Sequence, residues 1–138
     1  MDITQALEFI SAYVATEQPV VFLQGPLGAG KTYLTNQFAK TIAGITTHLP
    51  SPTFTFLQEY KCDWNGKKRI VHCDFYRIET QNAEKVLEQI GFWDYIDSST
   101  IVFIEWPEKA GDIVSALPHM TVTIHQLENG ERNYECTK

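Results

Sequence analysis

The sequence predicts an α/β fold, a mixed β-sheet with flanking helices and two β-hairpins, and three observations predict it. A short apolar run, Val20-Val21-Phe22-Leu23, stands between two segments of helical periodicity, the composition of a strand buried on both faces. A second such run, Ile101-Val102-Phe103-Ile104, recurs late in the chain. Two Asn-Gly pairs, Asn65-Gly66 and Asn129-Gly130, each lie between strand-like stretches, and both residues of such a pair tolerate the positive φ of a type I′ turn. The length of 138 residues leaves room for one domain, expected to span residues 1–138.

The elements follow in order. Ile3, Leu7, Ile10 and Val14 alternate four- and three-residue steps, which predicts an amphipathic helix over 3–16 with Asp2 as its cap. Pro19 breaks that pattern and the 20–23 strand follows. Gly25 to Gly30 is a glycine-rich turn, after which Leu34, Phe38 and Ile42 recur every four residues in a helix that Gly44 stops. Phe54 to Trp64 and Lys67 to Asp74 form the first expected hairpin, in which Cys62 and Cys73 could lie near each other. Residues 82–90 read as a short helix ending at Gly91, and Thr100 to Trp106 as a central strand. Thr121 to Leu127 and Arg132 to Cys136 form the second hairpin, turned across Asn129-Gly130 in the same manner as the first.

Composition narrows the function. Hydrophobic residues are 43% and charged residues 20%, which excludes disordered, collagenous and coiled-coil chains. Eleven Lys and Arg against 17 Asp and Glu give a formal charge of −6, so the chain has no broad basic face for a phosphate backbone. No stretch reaches the ~20 apolar residues of a membrane span, and the acidic start lacks a signal peptide's cationic region, so a cytoplasmic protein is expected. Three cysteines without CxxC spacing and four scattered histidines indicate neither a disulfide framework nor a zinc site.

The strongest motif is Gly25-Pro26-Leu27-Gly28-Ala29-Gly30-Lys31-Thr32, which fits G-x-x-x-x-G-K-[ST] at every position, after a strand and before a helix. Its glycines let backbone N–H groups turn inward as an anion nest for the phosphates of a nucleotide. Lys31 adds a point charge at a helix N-terminus, and the Thr32 hydroxyl is a hard oxygen ligand suited to Mg²⁺. The fold expectation is thereby a P-loop NTPase-like sheet.

Such a loop needs an acid on the metal side, and Glu105 ends the Ile101–Ile104 run where ligands of open α/β sheets bind. Asp74 ends Ile70-Val71-His72-Cys73 and is placed to orient water or accept a proton in phosphoryl transfer, or else to pair with Arg77. Spacing alone leaves open whether Asp74 and Glu105 exchange duties at the metal. Hydroxyls of Ser51-Pro52-Thr53-Phe54-Thr55 could meet the γ-phosphate as a switch segment does. Phe92, Trp93, Tyr95 and Trp106 read as an exposed aromatic set, and Arg132, after the second hairpin turn, as a residue that could approach the nucleotide base.

Together these segments resemble the TsaE (YjeE) family, small ATPases of tRNA threonylcarbamoyladenosine synthesis. The resemblance rests on GPLGAGKTYLT at 25–35, SPTFTF at 51–56, HCDFYRIE at 72–79, IGFWDYID at 90–97 and VFIEWPEKA at 102–110. It implies Mg²⁺-dependent hydrolysis of ATP to ADP in support of two partner proteins, TsaB and TsaD, while the acidity of the chain points to tRNA being engaged only indirectly, through more basic partners. By motif it implies that Lys31 and Thr32 hold phosphate and metal, that Glu105 is the second metal-side acid and that Asp74 is the acid required for hydrolysis. Tyr33, Ser51, Pro52, Thr53 and Trp106 would belong to the nucleotide-binding and nucleotide-sensing surface. Departures are small: Pro26 replaces a usual acid, Tyr33 a common threonine and Cys73 a frequent Phe.

Two other functions fit the same motif. A small P-loop kinase would use Asp74 as the base toward a substrate hydroxyl. A non-hydrolysing switch would dock a partner in one nucleotide state through the aromatic set. Slow hydrolysis, raised by partners, is the expected behaviour, since no arginine-finger motif stands out.

Overall fold

A computed structural model of the chain describes residues 1–16, 19–46 and 55–138. Helix α1 (Ile3–Val14) opens on a reciprocal cap: the Gln5 N–H donates to the Asp2 carboxylate and the Asp2 N–H donates to the Gln5 side chain. Strand β1 (Val20–Gln24) is buried except at its last residue and runs directly into the glycine-rich loop and helix α2 (Lys31–Thr41).

Strands β2 (Leu57–Trp64) and β3 (Lys67–Asp74) pair antiparallel across Asn65-Gly66. Both turn residues have positive φ (51° and 82°), as a type I′ turn requires. Cys73 sits opposite Leu57, whereas Cys62 lies five residues further along β2, so the two thiols expected to be neighbours are far apart and both are free. A 3₁₀ turn (Thr80–Asn82) leads into α3 (Ala83–Gln89), and Gly91 ends that helical stretch at φ 71°.

Strand β4 (Thr100–Glu105) ends one residue earlier than its apolar pattern, because Trp106 adopts a left-handed conformation (φ 58°, ψ 49°) that turns the chain sharply before Pro107. The short helix α4 (Asp112–Ser115), which has no clear periodicity of its own, leads to β5 (Met120–Gln126) and β6 (Arg132–Thr137). The turn of this hairpin is not type I′. Asn129 keeps negative φ; only Gly130 is left-handed, at 85°. Leu127 N–H donates to Glu131 O and Gly130 N–H to Leu127 O, a three-residue loop in which the Asn129 side chain accepts from Glu131 N–H.

Among the described residues six strands form one mixed sheet in the order β2-β3-β4-β1-β5-β6. Its four central strands are mutually parallel and the two edges antiparallel. Period-two alternation splits the core. Val21, Leu23, Ile70, Ile101, Phe103 and Val122 pack under α1 and α2, while Val20, Phe22, Val71, Cys73, Val102 and Ile104 pack under α3 and α4. Among the described residues no helix is long and apolar enough to cross a membrane. The sheet therefore delivers the carboxyl ends of β1, β3 and β4 side by side, and the polar site is built there.

Candidate functional site

The glycine-rich loop leaves β1 at Gly25 and returns the chain to α2 through Gly30, whose φ of 104° and ψ of 27° an L side chain would resist. Beneath it lies a cleft of about 300 Å³ lined by Leu27, Gly28 and Gly30 of the loop, by Lys31, Thr32 and Tyr33 at the start of α2, and by Asp74, Tyr76, Glu105 and Trp106. Three of its ionisable side chains are nearly buried: Lys31 and Asp74 at 5% exposure and Glu105 at 4%.

Each is placed by strand register or helix start. Asp74 and Glu105 are direct neighbours on the parallel strands β3 and β4, so their side chains emerge on the α2 face together. Thr32, in the first turn of α2, donates from Oγ1 to Glu105 Oε2 at 2.8 Å. Lys31 Nζ donates to the carbonyls of Gly25 (2.6 Å) and Pro26 (3.1 Å) and lies 4.3 Å from the centre of the Trp106 indole. Burial pushes the Lys31 ammonium below the ordinary lysine range, and the charges of Glu105, Asp74 and Glu108 oppose that shift. Asp74 Oδ1 accepts from the Tyr76 N–H, which fixes the carboxylate in an Asx turn.

The oxygens fit a magnesium ion. Ligands at adjacent corners of an octahedron with bonds of ~2.05 Å are ~2.9 Å apart, close to the Thr32–Glu105 separation. The donor set is hard oxygen only, with a carboxylate and a hydroxyl in reach of the phosphate-facing loop. A charged phosphate in that loop would give Lys31 an anionic partner in place of two neutral carbonyls.

Most of the residues singled out in the sequence converge here: Gly25 through Gly30 on the loop, Lys31, Thr32 and Tyr33 at the start of α2, and Asp74, Glu105 and Trp106. Pro26 contributes its carbonyl to Lys31, and Ala29, fully buried, anchors the loop in the core. Ser51, Pro52, Thr53 and Phe54 lie outside the described residues. Arg132 reaches the loop from β6. Its guanidinium stacks against the Tyr33 ring (5.3 Å) and passes so close to Gly30 that a Cβ there would meet Arg132 Cζ at 2.8 Å. The expected aromatic surface is only partly present. Phe92 is fully buried against Phe75, whereas Trp93 is 42% exposed.

Two residues were missed. Tyr76 lines the cleft and packs on Trp106 with ring centroids 5.0 Å apart. His72 is fully buried, and its Nε2 lies 2.5 Å from Glu105 Oε2. The available signal for His72 was its spacing of two from Asp74, which puts both on one face of β3.

The family model described as "Threonylcarbamoyl adenosine biosynthesis protein TsaE" matches residues 2–134. The chain belongs to the TsaE family. It is 36% identical over 134 residues to the tRNA threonylcarbamoyladenosine biosynthesis protein TsaE of Bacillus subtilis (strain 168), covering 97% of this chain and 77% of that protein. It is 35% identical over 113 residues to the protein of the same name from Rickettsia prowazekii (strain Madrid E), covering 82% and 73%. The crystal structure of Bacillus subtilis YdiB superposes with a TM-score of 0.65 at 26% identity, covering 99% of this chain and 80% of that one. The TsaE match spans all of the elements that build the cleft, from β1 to β4.

Proposed function

We propose that this TsaE-family chain is a Mg²⁺-dependent ATP hydrolase. It would act in the cytoplasm in support of a TsaB–TsaD complex that threonylcarbamoylates the adenosine beside the anticodon of tRNAs reading codons that begin with A. The observation that carries the reading is the contact between Thr32 Oγ1 and Glu105 Oε2, beside Lys31 at the mouth of the glycine-rich loop.

In this reading the loop from Gly25 to Thr32 binds the phosphates of ATP, with Lys31 exchanging its carbonyl partners for phosphate oxygens. Thr32 and Glu105 would hold Mg²⁺, which would supply positive charge to offset the negative charge developing on the phosphates. Asp74, held by the Tyr76 N–H, takes the proton of the attacking water or aligns that water for in-line attack. Trp106, which packs on Lys31 and against Tyr76, would cover the Lys31 side of the cleft. Arg132, packed on the Tyr33 ring beside Gly30, would flank the nucleoside from outside the cleft. The acidity of the chain supports contact with tRNA only through its partners.

The test is ATP hydrolysis by purified protein with Mg²⁺, alone and with TsaB and TsaD, repeated for Lys31→Ala and Asp74→Ala. Slow turnover that partners raise and both substitutions abolish is the expected result. Binding without turnover even with partners present would favour the nucleotide switch and leave Asp74 a structural acid. Stoichiometric transfer of phosphate to a small molecule would favour a kinase.

A further inference from the structure

We propose that His72 is a positioning residue for the metal-side carboxylate: its Nε2–H pins Glu105 Oε2 so that the carboxylate keeps one orientation when Thr32 turns its hydroxyl to a metal. The proposal rests on the reading of the cleft as a metal–nucleotide site.

Among the described residues Glu105 Oε2 receives two donors, the Thr32 hydroxyl at 2.8 Å and His72 Nε2 at 2.5 Å. If Thr32 serves as a metal ligand, its bond to Glu105 is lost, and His72 is then the one fixed donor left of the two. The tautomer follows from the other ring nitrogen. His72 Nδ1 is buried and finds no hydrogen-bond partner among the described residues. A proton on Nδ1 would be a buried donor without an acceptor, so the proton sits on Nε2 and is donated to the carboxylate.

The surroundings argue against a packing role. His72 shares its face of β3 with Ile70 and lies opposite Phe103 on β4, both fully buried apolar residues. An apolar side chain there would pack without orphaning a nitrogen, whereas His72 leaves Nδ1 unpaired. The feature gained in return is a rigid donor, two residues before Asp74, aimed at Glu105. Outer partners of this kind set the rotation of a ligating carboxylate and its affinity for the ion.

The experiment measures Mn²⁺ binding to the protein–ADP complex by the loss of the free Mn²⁺ electron paramagnetic resonance signal. A second titration measures fluorescent ADP analogue binding in EDTA. For His72→Leu, the Mn²⁺ concentration at half-saturation should rise by about 10- to 100-fold while metal-free analogue affinity stays within about twofold. His72→Gln, whose amide N–H can reach Glu105 from a similar distance, should restore most of the Mn²⁺ affinity. Unchanged Mn²⁺ half-saturation in His72→Leu would overturn the proposal. So would a parallel loss of metal-free binding, the mark of a merely structural role. Should His72→Leu fail to fold, long-range ¹H–¹⁵N spectra of the unsubstituted protein decide: Nε2–H supports the proposal and Nδ1–H overturns it. If Lys31→Ala leaves analogue affinity unchanged, or the unsubstituted protein takes up no Mn²⁺ with ADP, the functional reading itself fails and carries this proposal with it.

Discussion

Replacing Gly30 by Ala tests how the loop and the second hairpin are locked together. Gly30 holds φ 104°, ψ 27°, and an L residue forced there carries about 1–3 kcal/mol of backbone strain. Its Cβ would also lie 2.8 Å from Arg132 Cζ, 2.9 Å from Nε and 3.1 Å from Nη1. Carbon contacts are optimal near ~3.5–4.0 Å, so the guanidinium must retreat by the better part of an ångström. That retreat weakens its stacking on Tyr33, worth about 0.5–1 kcal/mol at an exposed site. The two effects together predict a loss of about 1.5–4 kcal/mol. For a chain of this size each kcal/mol lowers the midpoint by about 3–5 °C, so calorimetry should show a fall of about 5–20 °C. In the double variant Gly30→Ala, Arg132→Ala the clash disappears and only the backbone strain remains, so the second substitution should cost less on Gly30→Ala than on the parent chain. If Gly30→Ala costs under ~0.5 kcal/mol, or the two substitutions add without coupling, the reasoning about this contact is wrong.

Other substitutions probe the same account. Lys31→Met removes a buried charge while keeping the stem, so thermal stability should hold or rise while ADP affinity falls at least ~10-fold, measured by calorimetric titration. Phe38→Ala empties the contact of α2 with Phe103 and Trp64 and should cost about 3–5 kcal/mol in urea unfolding. Asp97 carries a pH signature. Burial raises its pKa, but hydrogen bonds from Thr100 and Ser99 and the Arg69 charge outweigh burial and leave it below the ordinary value. The group thus stabilises the fold above the ordinary aspartate pKa of about 3.9 and loses that contribution as pH falls through its lower folded value. Asp97→Ala should accordingly lower the melting temperature at neutral pH, and the gap should close in strong acid.

What the sequence revealed was local. The 20–32 segment could be read because strand, loop and helix are contiguous and the glycines, Lys31 and Thr32 of the octamer each have a backbone, charge or ligand role of their own. The first hairpin was legible because Asn65 and Gly66 alone connect its strands. The second was misjudged at its turn because an Asn-Gly pair also suits a three-residue loop, in which only Gly130 needs positive φ. Phe92 was grouped with Trp93, Tyr95 and Trp106 as an exposed aromatic set, but the 3₁₀ turn Phe92–Tyr95 rotates it into the core while leaving Trp93 outside. The His72–Glu105 contact was hidden for a different reason. It depends on β3 pairing parallel with β4, a register between strands 26 residues apart that no local spacing encodes. The same register makes Asp74 and Glu105 neighbours, which turned two separate candidates into one site.

The most direct test of the central claim is a crystal structure of the protein with Mg²⁺ and a non-hydrolysable ATP analogue. The account predicts phosphates seated in the Gly25–Thr32 loop and Lys31 Nζ moved from the Gly25 and Pro26 carbonyls to a phosphate oxygen. It also predicts a magnesium ion held on the Thr32 and Glu105 side. A nucleotide bound elsewhere, with Lys31 still on its two carbonyls and Thr32 still bonded to Glu105, would contradict it.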